Sequence, residues 1–272
     1  MMGGANKMEN MSLYVSASPH VHDPLDTRTI MRDVIIALAP ATLAAIVLFG
    51  VNALLLFAVS VLAAVGTEWG LEKLMHKKST LGDLSAIVTG LLVAMNVPAS
   101  APWWLVLVGS CFAIGLVKMA FGGLGSNFMN PALTARAVLL AAWPARMSGA
   151  AYIAPVTLAA DAVTSATPLA LLKEGAMDQM PSVWNLLIGN IGGCMGEVCA
   201  LALLLGAAYL FIRRIITWRI PLTYLATVAV LVFLLKGFQP MTVLYHLLSG
   251  GLILGAFFMA TDYTTSPTTP WG

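Results

Sequence analysis

Charge is scarce in this chain. Lysine, arginine, aspartate and glutamate together make up 10% of its 272 residues, against about 25% in soluble domains. The net charge of +2 is too small to attract a polyanion, which excludes a nucleic-acid binder. Cysteine is scarce too. Three residues, Cys111, Cys194 and Cys199, all in apolar surroundings, make neither a disulfide framework nor a zinc pattern. An iron–sulfur cluster normally takes four, so this chain alone is not expected to hold one. What is abundant is apolar sequence: 59% of residues are hydrophobic and the mean hydropathy is +0.88. An ordinary soluble enzyme and a disordered tail are therefore excluded, and the chain reads as an all-α polytopic membrane protein.

A helical span needs about 20 apolar residues. That ruler gives about eight spans, near 33–50, 52–72, 83–98, 102–120, 130–143, 183–212, 220–236 and 243–260. The third and fifth are short, and glycine or proline interrupts several. A cleaved signal peptide is not expected, because mixed polar sequence precedes the first apolar run and further spans follow.

Basic residues orient the set. If spans alternate, Lys7, Arg28, Arg32, Lys73, Lys77, Lys78, Lys118, Arg213, Arg214 and Arg219 share one side, while Arg146, Lys173 and Lys236 fall on the other. The N-terminus is therefore expected in the cytoplasm and the long 144–182 connection outside it. Weak internal symmetry is also visible. Gly90-Leu-Leu-Val-Ala-Met-Asn96 and Gly255-Ala-Phe-Phe-Met-Ala-Thr261 each end a span and lead into a turn. If spans 6–8 repeat spans 1–3, the second copy is inverted, a recurring membrane architecture. The expected organisation is a cytoplasmic segment 1–32, a first five-helix repeat 33–143, the connection 144–182 and a second repeat 183–272. Together they read as an inverted 5+5 repeat lacking its last two helices.

The sharpest local signal lies in the connection: Asp161-Ala-Val-Thr164-Ser165-Ala166-Thr167-Pro168-Leu-Ala-Leu-Leu-Lys173-Glu-Gly175. Thr167 is a good N-cap, Pro168 suits the first helical position, Lys173 falls in the last turn and Gly175 can terminate the helix. A phosphoryl group on Thr167 would meet the backbone N–H groups of that helix start. Ser165 and Ala166 leave room for a large group to approach, and Asp161 can bind a metal or orient the hydroxyl during attachment. The same residues also describe a plain capped surface helix, and local physics leaves both readings open.

The stretch Asp161 to Thr167 resembles the flavinylation motif of the Rnf and sodium-pumping NADH:quinone oxidoreductase (Nqr) families. Four further features resemble the D subunits of Rnf complexes: Ser18-Pro19-His20-Val-His22; Gly122-Gly-Leu-Gly-Ser-Asn127 with Asn130-Pro131-Ala132; the run on to Leu169; and Phe257-Phe-Met-Ala-Thr-Asp262 with Ser266-Pro267-Thr-Thr. The matches run from residue 18 to 270 in family order. The resemblance implies that Thr167 carries FMN through a phosphoester bond, within a site that includes Asp161, Thr164, Ser165, Ala166 and Pro168. It also implies a second, non-covalent flavin such as riboflavin among the helices.

The implied function is that of a membrane subunit of an ion-translocating ferredoxin:NAD⁺ oxidoreductase, not catalytic alone. It would relay electrons through FMN and couple this to Na⁺ or H⁺ transport in the bacterial cytoplasmic membrane. Implied partners are the other Rnf subunits, including a second flavin-carrying one, and a flavin transferase. That transferase acts outside the cytoplasm, which agrees with the side assigned to 144–182 from charge. The chain departs from the family at Ala162 and Ser165, where relatives often have glycine, and family members continue with two more spans. Rival readings are a B-type Nqr subunit, whose N-terminal region is usually longer, and a cofactor-free 5+5 transporter or channel.

Other features have bland readings beside sharp ones. Asn130-Pro131-Ala132 occurs once, whereas water channels need two copies, so it reads as a helix start. Gly122, Gly123 and Gly125 permit close packing or an irregular segment lining a cavity. His20 and His22 lack the further ligands of a metal site and read as part of a docking segment. Arg136 and Lys118 are expected to snorkel toward the cytoplasmic side, and Glu68 and Glu72 to be solvated at a span end. Glu197, inside the sixth span, is either part of an ion path or hydrogen-bonded to a neighbouring helix.

Overall fold

The computed structural model describes residues 26–77, 79–155, 166–236 and 238–266. The described residues are mostly helical, with an isolated antiparallel β-bridge between Pro98 and Cys194. Among the described residues, two helices are long and apolar enough to cross a membrane alone: α1 (Thr27–Phe49) and α2 (Val51–Leu74). They are joined at Gly50, whose φ of 71° allows the reversal. The shorter apolar helices are α3 (Ser85–Met95), α4 (Trp103–Phe112), which runs into a π-helical turn at Ala113–Met119, and α5 (Pro131–Ala142). After them come the single turn α6 (Pro144–Met147), α7 (Pro168–Glu174), α8 (Val183–Ile188), α9 (Ala200–Ile212) and α10 (Arg219–Leu235). The last pair is α11 (Pro240–Leu248) and α12 (Leu252–Leu254), the latter extended by a π-helical turn at Gly255–Met259.

Eight unbroken spans are therefore not what the backbone forms. The apolar run 83–98 stops being helical after Met95, and the run 183–212 divides into α8 and α9 around an irregular stretch, 189–199. Backbone pairing explains why both breaks are tolerated in the interior. The Gly196 amide donates to the Met95 carbonyl at 2.8 Å and the Met195 amide to the Val97 carbonyl at 3.2 Å. Each broken segment satisfies the polar groups its neighbour exposes, which helix-breaking backbone buried in protein requires. The run 243–260 is broken as well: α11 and the α12–π segment are bent by 68° across Ser249-Gly250-Gly251.

Close helix contacts are made by small residues. A Cβ on Gly206 of α9 would collide with the Ala37 carbonyl oxygen of α1, and one on Gly90 of α3 would lie 2.8 Å from the Val61 Cα of α2. Ser60 on α2 donates to the Gly90 carbonyl at 2.7 Å and pairs with Ser110 on α4 at 2.8 Å. Such small-residue contacts and buried hydroxyl bridges are how helices associate where water cannot drive them together. The exterior is correspondingly apolar: Leu43, Val47, Leu62, Ile212 and Leu235 are all exposed, and only Pro221 of α10 is buried. The chain has the outward-facing apolar helices of a membrane protein.

Candidate functional site

The capping signals around Thr167 are realised. Thr167 has extended backbone angles, its hydroxyl accepts from the Ala170 amide at 3.2 Å, Pro168 opens α7 and Gly175, at φ 74°, ends it. Ala166 is exposed, Thr167 half-buried and Pro168 buried. Asp161, Thr164 and Ser165 lie outside the described residues, as do His20 and His22.

α7 is more than a capped surface helix. Leu171 and Leu172 are buried, and Thr167, Pro168 and Leu169 form one wall of a cavity of about 120 Å³. The facing walls bring Arg136 from α5, Tyr152, Glu197 from the irregular stretch, and Gly250 and Gly251 from the bend before α12. Arg136 does not snorkel toward an end of the molecule, as its sequence position leads one to expect. Its Nη1 donates to Asn96 Oδ1 at 2.9 Å, and Asn96, buried at the end of α3, donates through Nδ2 to the Leu92 carbonyl at 2.7 Å. Glu197 is buried, and its Oε1 accepts from the Cys194 amide at 2.7 Å, so its partner is the backbone of its own turn and not a neighbouring helix. Tyr152 Oη donates to the Met147 carbonyl at 3.0 Å. Burial, with the Cys194 thiol and the Glu197 carboxylate nearby, pushes its phenol above the usual range.

A second, larger cavity of about 350 Å³ lies among α1, α3, α9 and the π-turn after α12, and Asn127, Asn130, Asp262 and Thr264 put polar atoms on its wall. The two family-like stretches 122–132 and 257–264 converge here: Asn127 Nδ2 donates to the Met129 carbonyl at 3.0 Å and to Thr264 Oγ1 at 3.1 Å. Asn130 caps α5, accepting from the Ala132 and Leu133 amides at 3.0 and 3.2 Å, which is the helix-start role expected of it. Gly122, Gly123 and Gly125 all have positive φ, and a Cβ on Gly123 or Gly125 would meet nothing within 4 Å. Those two are required for chain direction, not for close packing.

Lys118, which lines this larger cavity, corrects a further expectation. It does not reach for solvent. At 2% exposure it pairs with Glu68 at 2.7 Å and 2.8 Å and donates to Ser85 Oγ at 2.6 Å. Glu68 and Glu72 are likewise buried rather than solvated, and Thr80 donates to both through its hydroxyl. The turn between α2 and α3 folds back over the carboxylates and supplies the donors that water would otherwise provide.

Asn96 stands between the two cavities. It holds Arg136 of the smaller one, its Nδ2 lies 3.9 Å from Met259 Sδ, and its helix supplies Leu92 to the larger one. Asn96 and Met259 belong to the two stretches whose sequences look alike. Sequence reasoning missed Tyr152 and the pairing of Arg136 with Asn96. The available signal was an arginine and a glutamate, each alone in an apolar run.

The model of the NQR2, RnfD, RnfE family matches residues 14–272. The chain is 53% identical over 267 residues to the D subunit of the Na⁺-translocating ferredoxin:NAD⁺ oxidoreductase complex of Acetobacterium woodii, covering 97% of this chain and 81% of the relative. It is 36% identical to the D subunit of the proton-translocating ferredoxin:NAD⁺ oxidoreductase complex of Clostridium ljungdahlii, covering 94% and 80%. It is 38% identical to the D subunit of the ion-translocating oxidoreductase complex of Rhodobacter capsulatus, again covering 94% and 80%.

Proposed function

The chain belongs to the NQR2, RnfD, RnfE family, and from that premise we propose that it is the D-type membrane subunit of an Rnf ion-translocating ferredoxin:NAD⁺ oxidoreductase complex. It relays electrons through FMN held covalently by Thr167 and takes part in coupling that relay to Na⁺ or H⁺ movement. The observation that carries the reading is the position of Thr167: a half-buried threonine on the wall of a small cavity that also presents a guanidinium. That cavity, at about 120 Å³, is below the roughly 300–1,000 Å³ of a site that encloses a whole ligand. It fits a phosphate group, with the flavin ring left outside it. The larger cavity, at about 350 Å³, falls inside that range. Its apolar walls and the side chains of Asn127, Asn130 and Thr264 suit a non-covalent flavin such as riboflavin.

When bound, flavin supplies one- and two-electron redox chemistry. The chain supplies position. Thr167 fixes one cofactor, the irregular stretches 122–130 and 260–266 shape the pocket for the other, and Asn96 spaces the two sites. Ferredoxin and NAD⁺ are handled by other subunits of the complex, since this sequence has neither a cysteine cluster nor a dinucleotide fingerprint. A second flavin-carrying subunit and a flavin transferase are the further partners. In the bacterial cytoplasmic membrane, the broken segments complete an eight-crossing, inverted-repeat arrangement, with the N-terminus inside and the 144–182 loop outside.

The test is in-gel flavin fluorescence of the denatured chain, co-expressed with the transferase, beside Thr167→Val. Fluorescence that survives denaturation and vanishes in the variant is the expected result. A dark wild-type band, or a band of equal intensity in the variant, overturns the assignment of Thr167.

A further inference from the structure

The cavity beneath Thr167 contains a guanidinium and a carboxylate that approach the same point without joining. A Cβ placed on Gly251 would lie 3.4 Å from Arg136 Nη1 and 3.6 Å from Glu197 Oε2, yet the two side chains form no ion pair within 4 Å among the described residues. A half-buried guanidinium and a buried carboxyl group that do not pair leave a gap between them, which is space that another polar group can fill. Gly251 keeps it open by having no side chain.

We propose that Arg136 is a positioning residue that seats the phosphodiester joining the flavin to Thr167, with Gly251 providing the opening and Glu197 setting the charge that the seat accepts. This deepens, and rests on, the flavin–threonine reading above. Three observations converge on it. The seat has the volume of a phosphate group and not of a flavin ring. Its cation is held but not consumed: among the described residues, the side chain of Arg136 makes one hydrogen bond, to Asn96. Most of its five N–H donors are left for the two non-bridging phosphate oxygens, and a planar guanidinium matches such a pair. Finally, Glu197 lies across the gap, buried, with Oε1 already committed to the Cys194 amide. A phosphodiester carries a single negative charge, the least that a phosphate can bring into a seat that already holds one guanidinium and one carboxyl group. A phosphomonoester, near −1.5 to −2 at neutral pH, brings excess charge toward Glu197. The seat therefore favours the attached ester over free FMN.

The experiment compares wild type, Thr167→Val, Arg136→Gln, Arg136→Lys and Gly251→Ala, each co-expressed with the transferase. In-gel fluorescence reads attachment. Anisotropy and acrylamide quenching of the flavin in the folded protein read how firmly it is held. Arg136→Gln is expected to lower the anisotropy and raise quenching roughly twofold or more, because a charge-assisted bond is lost; Arg136→Lys falls between it and wild type. Gly251→Ala changes no charge. Its backbone, at φ −76°, accepts alanine, and the methyl occupies the gap, so it is expected to act in the same direction. If Arg136→Gln does not fold, Gly251→Ala decides. Attached flavin with wild-type anisotropy and quenching in whichever of these two variants fold overturns the seat and leaves the threonine assignment standing. A wild-type band that is dark, or no brighter than Thr167→Val, overturns both.

Discussion

Lys118 and Glu68 are 50 residues apart in sequence and bonded at 2.7 Å, with exposures of 2% and 0%. Two charges withdrawn from water together hold each other in place, but either one alone becomes a buried, uncompensated charge. Lys118→Met is therefore expected to lower stability by about 3–5 kcal/mol, read as a fall in the thermal midpoint of the detergent-purified chain. Adding Glu68→Leu to it removes the stranded carboxylate and is expected to recover much of the loss. If the double variant is no more stable than the single one, the pair is not what holds α2 to the π-turn. At this scale the sequence is legible only where the signal is local. The cap at Thr167, the proline after it and the glycine at 175 lie within nine positions, and all three behave as their chemistry dictates. Arg136, Tyr152, Glu197 and Gly251 are brought together only by tertiary packing, and no spacing rule connects them. Lys118 and Glu68 defeat sequence reasoning for the same reason. Each lies near the end of an apolar run, where a solvated side chain is the usual outcome, and only the fold shows that the turn at Thr80 closes over them.

Between elements, contact distance is set by glycine. At Gly206 the α1 backbone approaches so closely that any Cβ would overlap the Ala37 carbonyl. Gly206→Ala must separate α1 from α9 and with them Asp33 from Arg213, which pair at 2.9 Å. Overpacking typically costs about 1–3 kcal/mol and occasionally more. Backbone cannot move aside as a side chain can, so the upper end is expected here. Gly66→Ala on α2 is the control: nothing lies within 4 Å of its Cβ position, and alanine's helix propensity is better by about 0.8–1 kcal/mol. The first variant is expected to lose its monodisperse peak on size exclusion and the second to keep it. Equal behaviour of the two would show that the α1–α9 contact tolerates spreading. Element types are legible from apolar run length, and breaks are foreshadowed by Gly192-Gly193 and Gly250-Gly251. Their depth is not. Whether a glycine pair merely packs or lets a helix end depends on a partner for the freed backbone groups, and for the break at Gly192-Gly193 that partner, residues 95–97, lies about a hundred positions away in sequence.

For the molecule as a whole, the contacts divide the chain into two ends. Arg213 at the end of α9 reaches Asp33 near the start of α1, while Lys118 at the end of the first π-turn reaches Glu68 late in α2. The basic turn 213–219 and the part of the larger cavity lined by Thr27, Ile215 and Asp262 belong to this end. At the other, Asn52 at the start of α2 donates to the Ala99 carbonyl and Ser100 to the Ala151 carbonyl, and the cavity under Thr167 includes the neighbouring Tyr152. Arginine and lysine crowd the first end, and such crowding favours the cytoplasmic side. Fusions at two points separate the orientations. Alkaline phosphatase, active only after export, is expected to work when joined after residue 152 and to fail after residue 216; green fluorescent protein, which folds in the cytoplasm, is expected to show the reverse. An inverted pattern would put Thr167 on the cytoplasmic side and overturn the proposed attachment of flavin there by a transferase acting outside the cytoplasm. The expected pattern puts Thr167 toward the outer side and the larger cavity toward the cytoplasmic one, so that electrons passing between the two proposed flavin sites carry charge across the membrane, which does work against the membrane potential, about 2.3 kcal/mol per charge per 100 mV.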